Sequence, residues 1–235
     1  MPDQESRILT YPRLTKCMPD ESRHNPFQAL HKALRHGHCR MLPELGAGDF
    51  GDDAVSGALL QRLVQHLDLC RATAEARQRA LLGAIAAQGL EANPTSCQDH
   101  AGHMSALTEL QSLVRAVNVA APQRRRPAGR SIYRCYALYA SSDLARMDED
   151  ETVLLASLHD RLSDAELRTL EGRTYAALSH EHFLGLMRLL LPALATAELA
   201  DLLELLEEHL EPSFFASSVE PAMRPLLASR RFVAA

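Results

Sequence analysis

Residues 52–89 read DDAVSGALLQRLVQHLDLCRATAEARQRALLGAIAAQG, and their apolar positions Leu59, Leu60, Leu63, Leu67, Cys70, Ala74, Leu81 and Ile85 recur at helical spacing. Asp52 or Asp53 starts this helix and Gly89 ends it. The same signals return on both sides of this helix. Upstream, Asn25-Pro26-Phe27-Gln28 joins a capping residue, a proline suited to the first helical position and a glutamine able to reach back. The helix that follows carries Phe27, Leu30, Leu34, Met41 and Leu42 on one face, with His31 among them, and stops near Leu45 before Gly46-Ala47-Gly48.

Downstream, Thr95 and Gln98 form a capping box before a third helix through Leu107, Leu110, Leu113 and Val117. Residues 120–130, with two prolines, one glycine and four arginines, read as a loop whose Arg124, Arg125 and Arg126 are solvated surface. A fourth helix follows over about 131–162, and the capping box Ser163-Asp164-Ala165-Glu166 opens another. Leucine-rich helical stretches at 180–194 and 196–210 precede a proline-spotted tail. The fold class is all-α: residues 1–24 a mobile arm, 25–163 a bundle of four antiparallel helices, 164–235 a C-terminal helical extension. That extension has more apolar positions than one helix face needs, so it either packs onto the bundle or forms a homodimer surface.

Composition agrees and removes several functions. Leu and Ala fill 75 of 235 positions while aromatics are 5%, a mix that favours helices over sheets. A net charge of −5 disfavours a general nucleic-acid or anionic-membrane binder. The most apolar stretch, 183–195, is broken by Arg188 and Pro192 and is too short to span a bilayer. Five cysteines without a Cys-x-x-Cys pair argue against a disulfide framework and a cysteine-built zinc site, and MPDQESR lacks an apolar leader, so a cytoplasmic location is expected. No P-loop, Gly-x-Ser-x-Gly or His-Glu-x-x-His motif occurs, which leaves the bundle interior as the place for any chemistry.

Helical bundles build polar sites from inward-facing His and carboxylate groups three or four residues apart. His31 meets that test, and so does His103, with Asp99 and His100 one turn before it. Glu151 is the acidic candidate on the fourth helix. His36 and His38 are assigned to the surface. His180 and His182 diverge by about 200° on a helix and cannot chelate together. Cys39, Cys70 and Cys135 read as small buried hydrophobes.

The segments His31-Lys32-Ala33-Leu34-Arg35, Asp99-His100-Ala101-Gly102-His103 and Leu144 to Leu154, together with the runs at 162–167 and 189–194, resemble the hemerythrin-like (HHE cation-binding) proteins over roughly residues 25–220. The resemblance implies an up-and-down four-helix bundle holding two non-haem irons for dioxygen binding, sensing or iron handling. Its ligands are a His on helix one, His-x-x-x-Glu on helix two, a His pair on helix three and His-x-x-x-x-Asp or Glu on helix four. Carried over, His31 matches the first, His103 with His100 or Asp99 the third, and Glu151 the last carboxylate. Helix two departs, with Thr73 at the His position and Arg77 at the bridging Glu position, His66 and Asp68 lying more than a helical turn before that frame, and Arg146 replaces the His of helix four. A guanidinium cannot be deprotonated to ligate iron, so a degenerate site is expected in which Arg77 and Arg146 pair with Glu151 and no cofactor is held. The chain would then act non-enzymatically on a small ligand or protein partner, as a sensor. The alternative is one non-haem iron or other divalent ion on His31, His100, His103 and Glu151, binding dioxygen or nitric oxide.

Overall fold

A computed structural model describes residues 22–89 and 94–225, and it is helical throughout, with no strand among them. The opening stretch is α2 (Asp53–Ala87): the Asp52 carboxylate accepts from the N–H groups of Ala54 and Val55, and Gly89 follows with φ +68°, the left-handed conformation glycine adopts at a helix end. Before it, α1 (Gln28–Ala47) is led in by Asn25, whose Oδ1 accepts from Phe27 N at 3.0 Å. Gln28 does not close a capping box; its amide donates to Glu198. Next come α3 (Pro94–Asn118) and α4 (Pro122–Glu149). The side chains of Thr95, Gln98 and Asp99 lie outside the described residues, as do residues 1–21 of the expected arm.

Two expectations change. Residues 122–130 are not a loop but the first turns of α4, with Pro122 at the position where a missing N–H costs nothing. Arg125 pairs with Asp53 and its Nε donates to Ala120 O, while Arg126 reaches Asp49 at 3.3 Å. Arg125 and Arg126 therefore link α4 to the α1–α2 connection, and Pro127 removes one backbone bond within these turns. Residues 23 and 24, expected within the arm, are docked. Arg23 donates to Leu162 O at 2.7 Å and to Asp164 at 3.0 Å, and His24 bonds Glu171 at 2.8 Å.

Past Glu149 the chain continues through a π-helical turn, Asp150–Leu154, into α5 (Leu155–His159). Ser163 and Glu166 form the expected capping box at the start of α6 (Asp164–Ala176). Then follow α7 (His180–Ala193), α8 (Thr196–His209), a single turn α9 (Pro212–Phe214) and a second π-helical turn, Phe215–Val219. Helix α1 packs on α2, α4 and α7, α2 on α3, α6 and α7, α3 on α4, and α6 on α8. The surplus leucines of the extension are used here: Leu186, Leu190, Leu202 and Leu206 join one apolar cluster with Leu34, Leu63, Leu107 and Ile132. No helix among the described residues is long and apolar enough to cross a membrane.

Candidate functional site

The apolar stripe of α2 also carries polar groups inward, because Leu59, Leu63, His66, Cys70, Thr73 and Arg77 step by four and three residues along one face. On α1, His31 and His38 are seven residues apart and share a face; on α4, Tyr136, Tyr139, Asp143 and Arg146 do the same. Where these faces meet, polar side chains form two adjoining networks.

The first surrounds His31, 1% exposed. Its Nδ1 lies 2.7 Å from Glu151 Oε1 and its Nε2 3.8 Å from Asp150 Oδ2, with the ring stacked on Phe27. The π-helical turn widens the backbone where these two consecutive acids approach the same imidazole, a distortion often found at functional sites. Arg77 pairs with Asp150, and its guanidinium lies 5.9 Å from the Phe27 ring centre. Arg146 donates to Asp143 at 2.6 Å and to Asp150 at 3.2 Å, and Arg35 donates to Glu151 at 2.8 Å. Neither Arg77 nor Arg146 takes the expected partner; Asp150 holds both, and Glu151 is left to His31 and Arg35.

Burial pushes the His31 pKa down, the Glu151 hydrogen bond only partly opposing it. Burial would raise Glu151, but hydrogen bonds from His31 and Arg35 hold it below its usual range. A neutral imidazole thus sits among three guanidinium groups, Arg35, Arg77 and Arg146, and three carboxylates, Asp143, Asp150 and Glu151. Those charges balance without an ion.

The remaining expected site residues are dispersed. Thr73 is buried but turns its hydroxyl to Leu69 O and Cys70 O of its own helix. His103 approaches Asp143 at 3.5 Å and the Tyr139 ring, and burial brings its pKa down to about 4. His100 is half-buried, its pKa lowered by burial and then by Arg77 and Arg146. Of the four candidate ligands, only His31 and Glu151 are in contact.

The second network was missed from sequence. His38, assigned to the surface, is 2% exposed; it lies four residues after Leu34 and three before Met41, which already places it on the apolar stripe. Its Nε2 is 2.9 Å from Asp143 Oδ2 and its Nδ1 is 2.9 Å from the Tyr136 hydroxyl and 3.3 Å from His66 Nε2. Cys70 Sγ lies 3.6 Å from the same His66 nitrogen. The His66 ring rests on the backbone of α1 at Gly37, where a Cβ would stand 2.7 Å from its Cε1. Cys39, read as buried, is exposed. Asp143, 1% exposed, joins the networks by giving one oxygen to His38 and the other to Arg146.

No protein-family model, curated protein sequence or solved structure matches this chain.

Proposed function

We propose that this chain is a hemerythrin-like up-and-down four-helix bundle in which the iron level has become an ion-pair network, and that it acts non-enzymatically, binding a small ligand or protein partner as a sensor. The packing of α1 on α2 and α4, with α3 against both α2 and α4, supports the bundle. One observation carries the rest: Arg77 and Arg146, at the positions where the family places an iron-bridging glutamate and a histidine, both engage Asp150. These residues do not fit a two-iron centre. Two permanent cations stand where the ions would go, and the carboxylates are already paired.

A buried ion pair that loses one partner costs on the order of 3–5 kcal/mol, so reversion to a metal site would need several simultaneous changes. The test is to load the purified protein with iron(II) anaerobically, admit oxygen, and record bound iron and the absorption spectrum. Wild type is expected to show no oxo-bridged di-iron absorption. Thr73→His, Arg77→Glu and Arg146→His combined, if helical by circular dichroism, is expected to gain iron. Two irons per wild-type chain would overturn the reading, and one iron lost on His31→Gln or Glu151→Gln would favour a mononuclear site instead.

A further inference from the structure

His38, His66 and Cys70 are all buried, and one ligand atom from each lies within 4.8 Å of the other two; among the described residues no other set of three His, Cys, Asp or Glu does this. His66 and Cys70 are four residues apart on α2, which puts both on one face, and His38 faces them from α1. A tetrahedral zinc ion, with bonds of about 2.0–2.1 Å to nitrogen and about 2.3 Å to sulfur, separates two nitrogens by about 3.3 Å and a nitrogen from a sulfur by about 3.6 Å. The corresponding separations are 3.3 Å, His66 Nε2 to His38 Nδ1, and 3.6 Å, His66 Nε2 to Cys70 Sγ.

The surroundings match. The His38 Nε2–H donates to Asp143 at 2.9 Å, which leaves the Nδ1 lone pair facing the other two donors; a carboxylate behind a histidine is the usual outer support of a metal ligand. Asp143 is itself held by Arg146. The Tyr139 hydroxyl faces Cys70 and, fully buried, makes no hydrogen bond of ordinary geometry. A thiolate at Cys70 would accept it.

We infer that His38 Nδ1, His66 Nε2 and Cys70 Sγ form a binding site for a borderline-soft divalent cation of the zinc class, with a fourth position left to water or an incoming donor. Two imidazoles and one thiolate select such an ion over magnesium or calcium. On binding, the Cys70 S–H bond breaks, a metal–sulfur bond forms, and the proton leaves to solvent. His66 moves its proton from Nε2 to Nδ1 with no net change, and Tyr136 turns its hydroxyl away from His38 Nδ1. The thiolate offsets one charge of the dication, and Asp143, already paired with Arg146, orients His38 without adding a second. Its three ligands are separate from those of the reading at His31, although Asp143 is common to both networks: His38 lies seven residues beyond His31 and His66 seven before Thr73, a displacement of about 10 Å along the helices.

The test uses the full chain, stripped with chelator and kept reduced, titrated anaerobically with cobalt(II) and then zinc(II). Expected are one cobalt per chain with thiolate-to-cobalt charge transfer and tetrahedral ligand-field bands, both bleached by zinc. Cys70→Ser should abolish the charge transfer, and His66→Gln should weaken zinc at least tenfold. Replacing Cys17, Cys39, Cys97 and Cys135 together by Ser should leave the bands intact. Circular dichroism of the metal-free proteins checks folding, and Cys70→Ala replaces Cys70→Ser if the latter does not fold. No cobalt band in wild type, a band that survives loss of Cys70, or a band lost with the other four cysteines would each overturn the site, whatever iron does at His31.

Discussion

Asp143 accepts a hydrogen bond from His38 at 2.9 Å across the α1–α4 interface, and neither side chain is more than 2% exposed. The other Asp143 oxygen is 2.6 Å from Arg146. Burial alone would raise the carboxyl pKa, but the His38 bond, then Arg146 and His103, hold it well below the usual range. Asp143→Asn keeps the shape and removes the charge, leaving Arg146 with Asp150 alone. A loss of about 3 kcal/mol is expected in urea unfolding with the slope unchanged. A loss under about 1 kcal/mol would show that the charge is not needed.

Arg77 and Asp150 are 10% and 13% exposed, so their pairing is close to a buried one. Arg77→Met strands Asp150 beside Arg146 only, and Asp150→Asn strands Arg77. Each single change is expected to cost about 3 kcal/mol, and the double variant less than their sum by at least about 1 kcal/mol. Additive losses in the double-mutant cycle would mean that the pair is not coupled.

The helices were legible in the sequence wherever caps and stripes agreed: Asp52 and Gly89 bracket α2, and Ser163 with Glu166 opens α6. The first turns of α4 were not, because prolines and arginines at 122–130 signal a loop locally, while the pairings of Arg125 with Asp53 and Arg126 with Asp49 exist only once α1 and α2 are in place. At the site, His31 and Glu151, which are in contact, stood out in the sequence as candidate ligands. The partners of Arg77 and Arg146 did not, since the π-helical turn decides which of Asp150 and Glu151 faces which cation, and no residue pattern announces it. His38 and His66 each sit on an apolar stripe, but the first reads as surface and the second falls more than a turn outside the family's ligand frame.

Acid sensitivity follows from the buried histidines. His103 falls from the usual 6.5 to about 4, and His31 is also lowered, burial being the chief cause in both. The unfolded chain therefore binds more protons than the folded one between these values, so stability rises with pH across that window. The contribution is complete above about 6.5 and is lost as the pH falls toward about 4, each histidine adding up to about 1.4 kcal/mol per pH unit. Melting temperatures measured with chelator from pH about 7 to about 4 should decline steadily, and His103→Gln should make the decline shallower. An unchanged slope in that variant would mean that His103 is not held neutral.

The docking of the first turns of α4 makes a last prediction that separates helix from loop. Gly129 is buried against Phe50, itself 4% exposed, and a Cβ there would stand 2.1 Å from the Phe50 ring. In an exposed helix interior, Gly→Ala gains about 1 kcal/mol because alanine loses less backbone entropy. Gly83, within α2 with nothing near its Cβ position, should show that gain. Gly129→Ala must displace Phe50 from its place beside Leu45 and Leu59, and overpacking of this kind costs about 1–3 kcal/mol, more than the entropy returns. Urea unfolding should therefore move the two alanine variants in opposite directions. Stabilisation by Gly129→Ala would mean that residues 122–130 do not pack on the α1–α2 connection, and the ion pairs of Arg125 and Arg126 would fall with it.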